Sequence, residues 1–157
     1  MTERPVIHDT FAIERTYPAP ASRVFAAFAS KEAKDIWADT GDLTSPGGDA
    51  DDAEFDFRVG GRERFGIGYQ GINYRYDACY YDIVPGQRII YSYEMYADGA
   101  RISVSVATIE FATTAGGTAL TWTEQGAYLD GFDGAEAPHL RREGTAEMLA
   151  GLAKYLA

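Results

Sequence analysis

The stretch Tyr69–Tyr96, YQGINYRYDACYYDIVPGQRIIYSYEMY, holds eight of the chain's eleven tyrosines. Residues 73–84 and the run QRIIYSYEMY read as two strands joined at the turn pair Pro85-Gly86. Alternation puts Tyr74, Tyr76 and Tyr80 on one face of the first strand and Tyr81 on the other. In the second strand Tyr91 and Tyr93 join Ile89 and Met95 on the inner face, and Tyr96 lies outside. An aromatic core of cross-strand pairs, each worth about 0.2–1 kcal/mol, is one reading. A pocket wall presenting hydroxyls is preferred, because a fully buried tyrosine needs a partner for its OH.

Outward from this hairpin the chain keeps the same grammar. HDTFAIERTY (8–17) alternates as a first strand, stopped by Pro18 and Pro20, with Pro20 placed in the first turn of a helix. Val24, Phe25 and Phe28 then recur at helical spacing, and Ser30 is positioned to cap a second short helix, KEAKDIWA, which carries Trp37. Residues 40–52 read as a loop. EFDFRV predicts a strand with Phe55, Phe57 and Val59 on one face, and Gly60-Gly61 a two-residue hairpin. RERFGIGY follows with Phe65, Ile67 and Tyr69 on one face. Asp98-Gly99 turns into RISVSVATIEF, whose apolar phase runs Ile102, Val104, Val106 and then Ile109, Phe111, predicting a bulge near Ala107 or Thr108. Gly116-Gly117 leads to TALTWTEQG, where Leu120, Trp122 and Glu124 share a face. Met148, Leu149, Leu152 and Leu156 then switch to helical spacing, so residues 139–156 form a C-terminal helix. Gly144 and Gly151 lie within it, either for close packing against the sheet or to leave space for a ligand.

At 157 residues, with 46% apolar and 13% aromatic residues, one domain spanning residues 1–157 with a sizeable core is expected. A formal net charge of −10 argues against nucleic acid or an anionic membrane as partner. Cys79 is the only cysteine, so no internal disulfide forms and a cytoplasmic location is expected. Eight carboxylates and no Lys or Arg lie between Asp35 and Asp56. That patch reads as a solvated loop rather than a cation site, since its spacing is not that of a calcium loop.

The motifs YPAPASRVFAAFAS, IWAD, FRVGGRERF, DIVPGQRIIYSYEM, SVSVATIEF, GGTALTWTEQG and REGTAEMLAGLAKYL, in this order, resemble the START-like (SRPBCC) superfamily. Within it the chain is similar to the family named for homology to the activator of the heat-shock-90 ATPase. The resemblance covers residues 11–156. It implies an α+β helix-grip fold: a curved antiparallel sheet of about six to seven strands wrapped on a long C-terminal helix, with two short helices after the first strand, an internal cavity and a homodimer.

Glu124 is the leading candidate for chemistry. It points with Leu120 and Trp122, and a carboxylate facing a cavity either pairs with a cation or has its pKa raised. If it is paired, the partner is a cation such as Arg62, Arg64 or Arg75, among which the sequence does not choose, and its role is structural; if it is not, it can act as general acid or base. His8 and His139 lack metal-binding spacing, Cys79 has no partner thiol, and no nucleophile elbow or phosphate loop occurs, so no metal and no cofactor are expected. The leading expectation is a cavity that binds a hydrophobic or amphipathic small molecule, lined by Trp37, Phe57, Phe65, Tyr74, Tyr76, Tyr91, Tyr93, Trp122 and Met148, with Glu124 as polar anchor. The alternatives are a cyclase- or hydratase-like enzyme using Glu124, and a chaperone-interacting module using the acidic patch.

Overall fold

The computed structural model describes residues 3–38 and 53–157. Its strands are β1 (Val6–Tyr17), β2 (Glu54–Phe55), β3 (Arg62–Tyr69), β4 (Ile72–Val84), β5 (Arg88–Ala97), β6 (Ala100–Thr114) and β7 (Gly117–Leu129). The helices are α1 (Ala21–Ala29), α2 (Lys31–Trp37) and α3 (Ala137–Leu156). The strands form one antiparallel sheet in the order β1-β7-β6-β5-β4-β3-β2. β2 to β7 therefore run as a meander, and β1 returns to pair with β7 from Val6↔Leu129 to Tyr17↔Thr118. This is the helix-grip α+β arrangement that the family resemblance implies.

Local chemistry explains the joints. Asp98 and Gly99 both have positive φ, 47° and 85°, which lets a two-residue turn follow the twist of its strands. Ser30 caps α2, its hydroxyl accepting from Ala33 N at 3.3 Å. α1 buries Val24, Ala27 and Phe28. α3, about 30 Å long at its residue count, buries Leu149, Leu152 and Leu156 in the core with Phe11, Ile13 and Trp122. It touches α2, β1 and β7, and the Tyr17 hydroxyl ties it down by donating to the Leu149 carbonyl at 3.0 Å.

Four expectations are corrected. The bulges lie at Tyr81 in β4 and Ile102 in β6, where the pairing register shifts, and not near Ala107 or Thr108. The extra residue at Ile102 inverts the phase of β6: Ser103, Ser105, Ala107, Ile109 and Phe111 face the core, while Val104 and Val106 lie outside. EFDFRV is not a full strand, because only Glu54 and Phe55 pair with β3, and Val59 is exposed. Gly60 and Gly61 close no two-residue hairpin. They bond across to Tyr80 through Gly60 N and Gly61 O, and a Cβ at Gly61 would sit 2.0 Å from the Asp56 carbonyl oxygen. The last helix begins at Ala137, slightly earlier than its apolar pattern. The acidic patch between Asp35 and Asp56 lies mostly outside the described residues.

Candidate functional site

Because α3 meets the sheet chiefly at β1 and β7, a cleft remains between it and the concave face of β3, β4 and β5. The cleft measures about 1090 Å³, the upper end of the range for small-molecule sites. All ten residues named from the sequence line it: Trp37, Phe57, Phe65, Tyr74, Tyr76, Tyr91, Tyr93, Trp122, Glu124 and Met148. They do different things there. Trp37 is spent on the fold: its Nε1 donates to the Ala27 carbonyl at 2.9 Å, and its ring packs on Phe28 at 4.8 Å. Phe57 sits edge-on to Phe25 and Tyr80. Tyr74 meets Phe132 at the margin. Met148 is partly buried on the α3 side.

The floor is a chain of rings. Phe65 stacks on Tyr76 at 4.8 Å, Tyr76 lies 5.1 Å from Tyr93, and Tyr91 lies 5.9 Å from Tyr93 and 5.8 Å from Tyr80. The hydroxyls of Tyr80 and Tyr93 have carboxylate acceptors. Those of Tyr76 and Tyr91 have no hydrogen-bond partner among the described residues and are not sealed from the cleft. Burial pushes both phenols well above their ordinary pKa, so they stay protonated and are available as donors.

Two buried carboxylates flank this floor. At the Arg141 end, Glu124 is 1% exposed. Its Oε2 accepts from the Tyr93 hydroxyl at 2.8 Å, and its Oε1 from Trp122 Nε1 at 3.3 Å. Burial raises its pKa, against the opposing influence of Arg141 and of these two donors. The cation beside it is Arg141 of α3, 3.9 Å away, and not Arg62, Arg64 or Arg75. Those three alternate out of phase with the inward-facing residues of their strands, and Arg62 and Arg64 turn to Asp77. At the α2 end, Glu63 is 6% exposed. Its Oε2 accepts from Lys34 Nζ at 2.6 Å and from the Tyr80 hydroxyl at 2.7 Å.

Sequence reasoning missed Glu63, Lys34, Arg141, Ser103 and Ser105. Glu63 shares the inward parity of Phe65 and Ile67, so its alternation carried a signal. Arg141 continues the stripe Leu149, Thr145 back by one more turn, which the apolar pattern alone does not flag. No group of three or more His, Cys, Asp or Glu side chains able to hold a metal ion occurs among the described residues. No helix among them is long and apolar enough to cross a membrane.

Comparison with known proteins gives the context. The family model described as Activator of Hsp90 ATPase homolog 1-like protein matches residues 18–157. Among solved structures, an uncharacterised protein from Rhizobium leguminosarum is 41% identical, with a TM-score of 0.85 over 99% of this chain and 98% of that one. The Mll3558 protein from Rhizobium loti is 45% identical, with a TM-score of 0.81 over 97% and 99%. DynU16, from the dynemicin biosynthetic locus, is 18% identical and shares the fold, with a TM-score of 0.63 over 94% of this chain and 47% of its own. No curated protein matches the chain.

Proposed function

This chain belongs to the family of Activator of Hsp90 ATPase homolog 1-like proteins, and from that premise we propose that its cleft binds a small amphipathic molecule with an apolar or aromatic body and a hydrogen-bond acceptor. The observation that carries this reading is the pair of phenols, Tyr76 and Tyr91, which line the cleft with no hydrogen-bond partner for their hydroxyls among the described residues. A buried tyrosine hydroxyl ordinarily finds a partner. Two without one, each packed against the Tyr93 ring on an aromatic floor, suit an acceptor such as a carbonyl oxygen brought in by a ligand. The cleft's volume and mainly apolar lining agree with this.

The test compares two neutral probes by fluorescence and calorimetry. N-phenylnaphthylamine reports the apolar cleft, and acetylnaphthalene adds a carbonyl acceptor. The double variant Tyr76→Phe/Tyr91→Phe is expected to weaken acetylnaphthalene about tenfold, as loss of two hydrogen bonds implies, while leaving N-phenylnaphthylamine nearly unchanged. Failure of both probes to bind the unaltered protein would refute the reading.

A cyclase-like activity is a second reading, favoured by the raised pKa of Glu124 and the Tyr93 hydroxyl bonded to it. Both carboxylate oxygens already accept a hydrogen bond, so in this reading Tyr93 would relay the proton. Turnover that survives Tyr93→Phe without change would exclude that relay.

A further inference from the structure

Arg141 reaches the cleft with its charge held by neutral groups. Its Nη1 donates to the Tyr93 hydroxyl at 2.8 Å and to Ser105 Oγ at 3.4 Å, and its Nη2 to Ser103 Oγ at 2.9 Å. The rings of Tyr93 and Tyr128 lie 5.4 and 5.3 Å from its guanidinium carbon, within cation–π range. Gly126 makes room for this cradle, since a Cβ there would stand 3.0 Å from Ser105 Oγ and 3.4 Å from the Tyr128 ring. Glu124 stays 3.9 Å from Nη1 and spends its oxygens on Tyr93 and Trp122. The guanidinium thus has no carboxylate within hydrogen-bond reach among the described residues.

A guanidinium has five N–H donors, and three of them are used on the sheet. The Nε edge remains, with Nε–H and the second Nη2–H. Among the described residues the one buried side-chain nitrogen or oxygen without a partner is Arg64 Nε. Arg141 Nε has no bonded partner among them either, and its not being buried leaves it accessible surface; Arg141 lines the cleft. The planar fork of an arginine edge matches the two oxygens of a carboxylate. Lys34 offers no such edge: its ammonium is a point charge already closed on Glu63 at 2.6 Å.

We propose that the Nε edge of Arg141 receives an oxyanion, a carboxylate above all, carried by the molecule that occupies the cleft. The inference rests on the cleft being a small-molecule site and adds the charge of the ligand and the residue that reads it. Glu124 is then a positioning residue. By accepting from Tyr93 it orients the hydroxyl that in turn accepts from Arg141, and it aims the guanidinium without neutralising it by a direct bond.

The experiment uses a matched pair of dyes on the full chain: anilinonaphthalene sulfonate, whose sulfonate supplies two coplanar acceptors, and N-phenylnaphthylamine, the same ring system without the charge. Arg141→Met is expected to weaken the sulfonate about tenfold or more, in line with the loss of a charge-assisted hydrogen-bond pair, and to change the neutral dye far less. Arg141→Lys keeps the charge without the fork and is expected to fall between. If Arg141→Met does not fold, the double variant Glu124→Gln/Arg141→Met, which removes both charges, answers the same question. Equal weakening of both dyes would overturn the anion site while leaving the cleft reading intact. Binding of neither dye to the unaltered protein would overturn the cleft reading itself.

Discussion

The two ends of the cleft use similar parts differently. Each has a buried carboxylate, a tyrosine hydroxyl donating to it and one cation. At the α2 end Lys34 and Tyr80 both converge on one oxygen of Glu63, at 2.6 and 2.7 Å. The charges cancel by direct contact. At the other end Arg141 and Glu124 stand 3.9 Å apart, and the Tyr93 hydroxyl lies between them as donor to one and acceptor from the other. α3 repeats the contrast in its backbone. Near α2, a Cβ on Gly151 would meet the Trp37 carbonyl oxygen at 2.2 Å, so the helices are in close contact. Near Arg141, a Cβ on Gly144 would meet nothing within 4 Å among the described residues. One end is a closed structural joint, and the other keeps charge and space available.

The largest effect expected from this contrast is at Lys34. Its side chain is 17% exposed and that of Glu63 is 8% exposed, so Lys34→Met strands a buried carboxylate. Breaking such a pair costs about 3–5 kcal/mol, measured as a shift in the urea midpoint at constant slope. Glu124→Gln at the other end removes no close ion pair and should cost less than Lys34→Met. A larger loss from Glu124→Gln than from Lys34→Met would reverse the assignment of the structural end.

The next test uses the two glycines. Gly151→Ala forces α3 away from α2 or distorts the C-terminus of α2, and overpacking of this kind costs about 1–3 kcal/mol. Gly144→Ala meets open space, and in a helix interior alanine is favoured over glycine by about 1 kcal/mol. One alanine should therefore lower the melting temperature and the other raise it. The same sign at both positions would mean that α3 is seated the same way along its length.

The fold was legible because the sheet is built from alternation and from turn pairs with few substitutes. Asp98-Gly99, Pro85-Gly86 and the switch to helical spacing at Met148 each admit one local structure. The inward parity of Tyr76, Tyr91, Tyr93 and Glu124 followed from the same rule. What failed were places where one residue shifts the count. The extra residue at Ile102 moved Val104 and Val106 outward and brought Ser103 and Ser105 to Arg141, so the polar cradle was hidden behind the wrong phase. Arg141 itself was illegible for a related reason. It occupies a core-facing position on α3, but apolar periodicity registers only apolar residues, and the choice between Arg141 and Arg142 depends on where the helix begins. The paired glycines read as packing against the sheet or leaving space for a ligand, but the close neighbour at Gly151 is the Trp37 backbone of α2, because close approach depends on which element arrives, and a helix arrives there.

The smallest effect, and the one that most sharpens the contrast between the ends, is the pH dependence of Glu124. Burial raises its folded-state pKa above the ordinary carboxylate range. The folded state then binds the proton more tightly than the unfolded chain across the window between the two values. Stability falls with rising pH wherever the folded state holds more protons. Glu124's contribution is therefore most favourable below the ordinary carboxylate range and is lost as pH rises through the raised value. Glu124→Gln has no proton to lose, so the stability of the unaltered protein relative to this variant should fall as pH rises across this window. Denaturant titrations in a series of buffers measure the difference directly. A Glu124→Gln profile parallel to that of the unaltered protein would show that Arg141, despite its distance, holds Glu124 ionised as firmly in the folded protein as water does in the unfolded chain, and the two ends of the cleft would then be electrostatically alike.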